Sequence, residues 1–544
     1  MEKQTKSGII YGDQNFFVPS HLNFGAYVLQ KLLTHKRDQA ALINGATEEQ
    51  ITFGEIAQKI VNIASSLSRL GVKQGDVVAI FSENRIEYVL TALAVYYSGA
   101  IITFFNNAYT KGDLTHALSI SKPKYMFLSG ELYKTQYEVI ENTKYIQKYV
   151  LYDDVDMRSN CLHYKELSEK HVDIKSGNYF DFKGTPQTCM ILYSSGTTGL
   201  AKGAKINHLN LIVSSQQPMM TDRDLTPLMI APWSSTMGII RILKEIAFGR
   251  TTVFLPKYNE ILYLKTIQKY KIGLLSVAPP LIVMLYKSNI VKDFDISSVK
   301  IVYSGGAPIT PESIHQLKTS VNIRFPHMNV LQGYGMTEAT GAVTEDLDNS
   351  PREGSVGRIV PGNIIKISDP NTNKTLGCGE PGEVRIKGLV LFEGYVGRDM
   401  QNDYDAEGFY KTGDIAYYDE DGYFYIVDRI KELIKYKGWQ VTPSELEAVI
   451  LQHPAVKDAG VTGAPDTLAG ELPTAFVVKQ ANAKVTEQEI IDYVSDKVAP
   501  WKRLRGGVIF LKEIPKTASG KILRRELQAL LSKQRPQKLP ASKL

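Results

Sequence analysis

Apolar positions along the chain set the first reading. Between residues 52 and 71 they recur at helical spacing, with Thr52 and Glu55 at the front and Gly71 behind. That is an amphipathic helix with a start and a stop signal. Residues 76–81, DVVAIF, read as a short buried strand. Residues 88–110 carry no charge and approach the length of a membrane span. Ser98 and Gly99 divide that run, and β-branched and aromatic residues follow, so it reads as a helix over 86–97, a turn and a buried strand over 100–104. A helix near 113–121 and a strand over 124–128 continue the alternation. A second series, from about 190 to 340, has strands over 190–192, 228–231, 252–255, 274–277 and 300–304. Repeated β–α alternation predicts an α/β fold with doubly wound sheets. No short-period repeat appears, which argues against solenoids and propellers.

The pattern changes near residue 355. Glycines become frequent and short strands take over, at 383–386 and 423–427, as in a small β-barrel or distorted sheet. After Asp428 and Arg429 comes a compact α+β stretch with a helix over 443–452. The expected organisation is a large N-terminal domain over 1–428, whose part from about 355 is the barrel-like subdomain. A small C-terminal domain over 429–531 and a basic tail over 532–544 complete it.

Composition narrows the class. The chain has 544 residues, too many for one core, and 43% of them are hydrophobic. The net charge of +6 is spread along the sequence, so no nucleic-acid partner is expected. Cys161, Cys189 and Cys378 lack disulfide or metal spacing and suit a reducing compartment. The first residues lack a signal-peptide pattern, and no transmembrane span is expected.

Candidate chemistry begins at residues 193–203, YSSGTTGLAKG. Ser194, Ser195, Thr197 and Thr198 supply hydroxyls, Gly196 and Gly199 let the backbone approach an anion, and Lys202 supplies a charge. Ala204 stands where a P-loop has its second glycine, so this is not that motif. Alone, the stretch is either a phosphate cradle or a solvated loop of small residues. Gly305, Gly306 and Ala307 in SGGAP follow an apolar strand and suit a flat ligand ring or a simple strand-to-helix turn. QGYGMTE offers Gln332, Gly333, Tyr334, Gly335, Thr337 and Glu338. Tyr334 can stack on a base or fill a core; Glu338 can ligate magnesium or begin a helix. Asp414 in YKTGD can accept two ribose hydroxyls or cap a turn. Arg429 can pair with phosphate. Lys431, Lys435 and Lys437 form a cluster of the usual solvated kind. Lys521, in PKTASGKILRR, sits in a glycine-flanked loop and can neutralise charge on a transferred group.

As an ordered set, YSSGTTGLAKG, SGGAP, QGYGMTE, YKTGD, DRIKELIKYKG and PKTASGK resemble the adenylate-forming superfamily of acyl-CoA synthetases, insect luciferases and adenylation domains. The match spans nearly the whole chain. LQGYGMTE, DRIKELIKYKGWQVTPSELE and LRGGVIF look closest to the luciferase-like and fatty acyl- or 4-coumarate-CoA ligase branch.

The resemblance implies a large N-terminal domain, a mobile small domain, and activation of a small-molecule carboxylic acid with ATP and Mg2+ before transfer to coenzyme A. It implies that residues 194–202 hold the β- and γ-phosphates. Gly305, Gly306, Ala307 and Tyr334 would hold adenine, in a wall that includes Gln332, Gly333 and Gly335. Thr337 and Glu338 would serve phosphate and metal, Asp414 the ribose, and Arg429 the nucleotide. Lys521 would serve adenylation, and Lys435, on the opposite face of the small domain, thioester formation. The acyl pocket would include Ser235, Gly341 and Ala342. Ser235 falls where many relatives have histidine, which puts thioester formation and luciferin oxidation in question. Ser542-Lys543-Leu544 matches a peroxisomal address read by an import receptor. The leading expectation is a ligase for a medium- or long-chain fatty acid. The alternatives are a luciferin 4-monooxygenase and a catalytically weakened ligand-binding paralogue.

Overall fold

The computed structural model describes residues 8–15, 17–155, 160–176, 187–194, 201–218, 224–306, 309, 311–321, 328–346, 351–517 and 520–534. Ser195, Gly196, Thr197, Thr198, Gly199 and Ala307 lie outside them, as does the tail with Ser542, Lys543 and Leu544.

Apolar runs bounded by turn residues become two large sheets. The first has seven strands in the order Lys202–Asn207, Thr188–Ser194, Ile101–Phe105, Val77–Phe81, Tyr125–Leu128, Lys148–Leu151, Cys161–His163. Its pairs are parallel except that Lys202–Asn207 runs antiparallel to Thr188–Ser194. The second has nine strands and includes Ala40–Asn44, Pro227–Met229, Thr252–Phe254, Leu274–Val277, Ile301–Ser304, Asn329–Met336 and Gly341–Glu345.

Periodicity had grouped Thr188–Ser194 with the second series. The structure places it in the first sheet, parallel to Ile101–Phe105. Conversely, the early strand Ala40–Asn44 crosses to the second sheet and pairs with Thr252–Phe254. Pairing between strands so distant in sequence is set by tertiary packing, not by local pattern.

The uncharged run resolves as expected. The helix Ile86–Tyr97 is buried nearly all round beneath the helices Phe24–Leu32 and Phe53–Arg69. Thr52 and Glu55 close a reciprocal capping box at the front of Phe53–Arg69. Among the described residues no helix is long and apolar enough to cross a membrane.

The barrel-like region is a five-stranded antiparallel sheet: Ile9–Tyr11, Asn363–Ser368, Gly382–Gly388, Tyr410–Tyr418 and Phe424–Arg429. Its order returns the first strand of the chain to the fold's far end. The C-terminal unit has its own sheet, Trp439–Val441, Ile434–Tyr436, Gly470–Lys479 and Val456–Asp466, joined by Val508–Phe510, and its own apolar core. The whole is an α/β molecule with a small α+β unit at the C-terminal end.

Candidate active site

The motif 193–203 is the connection between two antiparallel strands, and its register pairs Lys202 with Ser194. The hairpin brings the loop's only lysine back beside its first hydroxyl. The segment at Tyr395 then runs along the outer edge of Lys202–Asn207: Val396 donates to the Gly203 carbonyl and Lys205 to that of Gly394. This backbone ladder sets the Tyr395 ring 5.3 Å from the Lys202 ammonium. Its hydroxyl donates to Glu338 Oε1 at 2.5 Å. Glu338 is buried in the short turn Thr337–Ala339, and Thr337 Oγ1 meets Thr236 Oγ1 at 2.7 Å. Burial, then repulsion from Arg398 and Lys431, lowers the Lys202 ammonium from the ordinary lysine range. A half-buried cation held among other cations favours an arriving anion.

A second group lies where the barrel-like sheet meets the C-terminal unit. Asp414 and Arg429 are register partners on adjacent strands, and Arg429 Nε lies 2.8 Å from Asp414 Oδ1. The Tyr334 hydroxyl donates to Asp414 Oδ2 at 2.7 Å. Burial pushes the Asp414 carboxyl above the usual aspartate range, and Arg429, Tyr334 and Lys521 pull it back. Burial also works against the Arg429 charge, but Asp414 and Glu432 more than offset it.

Lys521 arrives from the C-terminal unit on a tight hairpin. Its N–H donates to Thr517 Oγ1 and its carbonyl accepts from Thr517 N. Gly520 has a φ of +83°, and a side chain there would lie 2.8 Å from Pro280. The loop therefore rests against the large domain's helix Pro279–Lys287. Glu432 Oε1 lies 3.9 Å from the Lys521 ammonium. Burial, then Arg429, lowers the Lys521 pKa from the ordinary lysine range. Lys202, Arg429 and Lys521 thus converge on the two carboxylates Asp414 and Glu338, each within the electrostatic field of at least one of the cations.

Between these groups lies a wall of bare backbone. Gly305 follows the strand Ile301–Ser304, Gly333 lies within the neighbouring parallel strand Asn329–Met336, and a side chain on Gly333 would come within 2.4 Å of the Tyr303 hydroxyl. Only glycine fits there, so the wall is flat by construction. Gly306 has φ +85° and faces open space. Gly335 and Gly341 approach so closely that a methyl on Gly335 would lie 2.3 Å from the Gly341 carbonyl. Gly341 faces Ile240 of the helix Thr236–Phe248, and Ala342 follows it, half-buried.

Three residues of the expected site have the following places. Gln332 uses its amide within the wall: Nε2 donates to the Ser355 carbonyl at 3.3 Å and Oε1 accepts from Ile309 N at 3.4 Å. It shapes the wall. Ser235 is the N-cap of Thr236–Phe248: its hydroxyl accepts from Gly238 N at 3.2 Å and donates to the Pro232 carbonyl at 2.7 Å. Its polarity serves the helix end. Lys435, expected on the face of the small domain away from Lys521, is exposed on Ile434–Tyr436, and its N–H donates to Glu471 Oε2 at 2.8 Å.

Two features escaped the sequence. Tyr395 was missed because a lone aromatic in a glycine-rich loop carries no spacing signal. The charges Arg241, Lys244 and Glu245 were missed because charges at helical spacing ordinarily mark a solvated face. Here all three are buried, on a helix whose remaining residues are largely apolar. That conflict between charge and apolar surroundings was the available signal.

For a metal, the described residues contain no group of three or more histidine, cysteine or carboxylate side chains able to hold an ion. A single carboxylate, Glu338, suits magnesium that arrives on a nucleotide, since the phosphates and water supply its other oxygens.

Known proteins match this arrangement. The family model for the AMP-binding enzyme matches residues 29–396, and that for the AMP-binding enzyme C-terminal domain matches residues 445–521. A luciferin 4-monooxygenase of Photuris pensylvanica is 36% identical over 505 residues, covering 91% of this chain and 92% of the relative. A probable 4-coumarate–CoA ligase of Dictyostelium discoideum is 34% identical over 92% of this chain and 94% of the relative. The ATP-bound crystal structure of MatB from Rhodopseudomonas palustris superposes with a TM-score of 0.82 at 26% identity, over 94% of this chain and 99% of that one. With most of its length inside one family model, a matching C-terminal model and relatives above 30% identity at both ends, the chain belongs to the AMP-binding enzyme family, within the adenylate-forming superfamily that its motifs resemble.

Proposed function

We propose that this protein is an AMP-forming acid–thiol ligase. It activates a carboxylic acid with Mg-ATP to an acyl-adenylate, releases pyrophosphate, and passes the acyl group to the thiol of coenzyme A. One observation carries the reading: Lys202, Arg429 and Lys521 converge from three separate elements on Asp414 and Glu338.

The chemistry follows from that placement. The substrate carboxylate attacks the α-phosphorus and the bond to the β-phosphate oxygen breaks. Negative charge spreads over the phosphoryl oxygens as this happens, and fixed cations stabilise it by several kcal/mol. Tyr334 and the Gly305–Gly333 wall would hold the base, Asp414 the ribose hydroxyls, and Lys202 the leaving pyrophosphate. Lys521 would bridge the acid and the α-phosphate. Because it rides on the C-terminal unit, its charge is present only when that unit is seated, which also excludes water. Glu338, fixed by Tyr395, would hold the magnesium that screens the triphosphate. Lys435 would serve the thioester step after the C-terminal unit turns its other face.

The proposed acid is a medium- or long-chain fatty acid, a reading supported by the small residues Gly341 and Ala342 beside Ile240. The same proposal includes a peroxisomal address through Ser542-Lys543-Leu544. A luciferase-like reading is supported by the 36% identity to luciferin 4-monooxygenase. Purified protein is to be given ATP, magnesium and a panel of acids, with and without coenzyme A. AMP and an acyl-CoA are the expected products. Light with luciferin, and no thioester with any acid, would favour the second reading; inertness towards every acid would leave a ligand-binding protein.

A further inference from the structure

The turn that joins the barrel-like sheet to the C-terminal unit carries a carboxylate that no step above uses. Residues 429–433 form one hydrogen-bonded turn: Glu432 N and Leu433 N both donate to the Arg429 carbonyl, at 3.0 and 3.1 Å. Ile430 N donates to the Gly413 carbonyl at 2.9 Å, which fastens the turn to the strand Tyr410–Tyr418 that carries Asp414. Glu432 is thereby fixed at the junction of the two units, with its side chain 17% exposed.

Its two oxygens have different partners. Oε2 accepts from Arg524 Nε at 2.9 Å, and Oε1 lies 3.9 Å from the Lys521 ammonium. Arg524 opens the helix Arg524–Gln534, directly after the Lys521 hairpin. The rest of its guanidinium is engaged inside the C-terminal unit. Nη1 donates to Glu447 and to the Val461 carbonyl, and Nη2 donates to Glu447 Oε2 at 3.2 Å. Glu447 also accepts from Val461 N at 2.7 Å. Arg524 is held by Glu447 and Val461, so a carboxylate bonded to it is held as well.

The charges around Lys521 show what that carboxylate does. Four groups face the ammonium: Arg429 and Asp414 from the barrel-like sheet, Arg524 from the helix that follows, and Glu432 from the turn. The two guanidiniums repel it. Asp414 is already engaged by Arg429 Nε and by the Tyr334 hydroxyl. Glu432 is the carboxylate that reaches towards the ammonium itself. An opposite charge at such a distance favours the charged form. At 3.9 Å it attracts without making a hydrogen bond of ordinary length, so the ammonium keeps its donors for an arriving phosphate.

Resting on the ligase reading, we propose that Glu432 is a positioning residue for adenylation: braced by Arg524, it holds the Lys521 ammonium in place and in its charged form. Glu432 touches neither nucleotide nor acid and acts only through Lys521.

Glu432→Gln tests this, since it keeps the shape and an oxygen for Arg524 and removes the charge. Competitive acetylation of the free enzyme with acetic anhydride, followed by mass spectrometry of the peptide carrying Lys521, titrates that lysine without nucleotide or acid. Lys521 should titrate about one unit lower in the variant, because Asp414 alone then opposes the two guanidiniums. Pyrophosphate release with ATP, magnesium and the panel of acids should fall about tenfold near neutral pH, as expected for a misplaced catalytic group. The deficit should widen as pH rises through the lowered value, which a merely structural defect would not do. Glu432→Asp keeps the charge and should recover most of both. Should Glu432→Gln fail to fold by thermal unfolding, Glu432→Asp carries the test with a smaller downward shift. A Lys521 titration unmoved in a folded variant, or a deficit equal at every pH, overturns the proposal and leaves the ligase reading standing. No pyrophosphate from the unaltered chain with any acid, luciferin included, overturns the ligase reading and the adenylation role of Glu432 with it.

Discussion

The two ends of this site treat charge in opposite ways. At the phosphate end, Lys202, Arg429 and Lys521 feel neighbouring cations as well as Glu338, Asp414 and Glu432, and they stay partly open to solvent: the side chains of Arg429 and Lys521 are 32% and 29% exposed. Lys202 and Lys521 are both lowered by burial and by neighbouring positive charge. Beneath the glycine wall, Arg241, Lys244 and Arg250 are buried against Glu245 and Glu345, with Asp346 alongside. There positive and negative groups are matched. Charge in excess at an accessible position is paid for only when an anionic ligand arrives. Charge in balance inside a core holds a shape, and one broken partner there is expensive. The difference separates accessible cations suited to an anionic ligand from buried charges that hold a shape.

The largest effect should come from the phosphate end. Lys521→Ala removes one cation from the α-phosphate without touching the nucleotide wall. Pyrophosphate release is expected to fall about 10²–10³-fold, by analogy with the loss of one transition-state donor. ATP affinity, read by a fluorescent analogue, should change only a few fold. An undiminished rate would place the decisive charge elsewhere, with Lys202 the next to try.

Tyr395→Phe comes second. It keeps the ring against Lys202 and removes the hydroxyl that bonds Glu338 and also reaches Tyr410 and Ser194. A hydrogen bond to a charged group contributes about 1.5–3 kcal/mol, so a loss of roughly tenfold or more in kcat/KM for Mg-ATP is expected. Saturating magnesium should recover part of it if the tyrosine acts by fixing Glu338. A loss indifferent to magnesium would tie Tyr395 to Lys202 instead.

How much of this was legible beforehand depends on the range of the interaction. Local signals read well. Thr52 and Glu55 at one end and Gly71 at the other framed a helix that the structure gives as Phe53–Arg69, and the uncharged run divided where Ser98 and Gly99 stand. Sheet membership did not, because Thr188–Ser194 and Ala40–Asn44 find their partners across the whole large domain. The ordered motifs pointed to Asp414, Arg429, Tyr334 and Lys521, and the fold brings those four together. Tyr395 could be found only through the strand edge on which it lies. Arg241 and Glu345 were hidden for the converse reason: a charge in a helix or strand looks solvated until burial is known.

Acid–base behaviour sharpens the contrast at the phosphate end. Lys521 needs its proton to act, and burial and Arg429 lower its pKa in the free enzyme. The charge is lost as pH rises through that lowered value. The alkaline limb of kcat/KM, which reports the free enzyme, should therefore fall below the ordinary lysine range. Bound ATP adds negative charge and favours the ammonium, so the limb of kcat should lie higher. Lys521→Arg should abolish the limb even though it slows the reaction, since guanidinium does not titrate there. A limb that survives the substitution belongs to another group.

The smallest expected effect falls at the acyl end and concerns Ser235. Its hydroxyl is engaged on both sides, by Gly238 N and by the Pro232 carbonyl. Loss of such a cap costs about 1 kcal/mol of stability. Ser235→Ala should thus lower the urea midpoint slightly while leaving the ranking of acids unchanged. That outcome would mean the place held by histidine in many relatives has become structural here. A changed ranking with unchanged stability would put Ser235 itself against the acyl group.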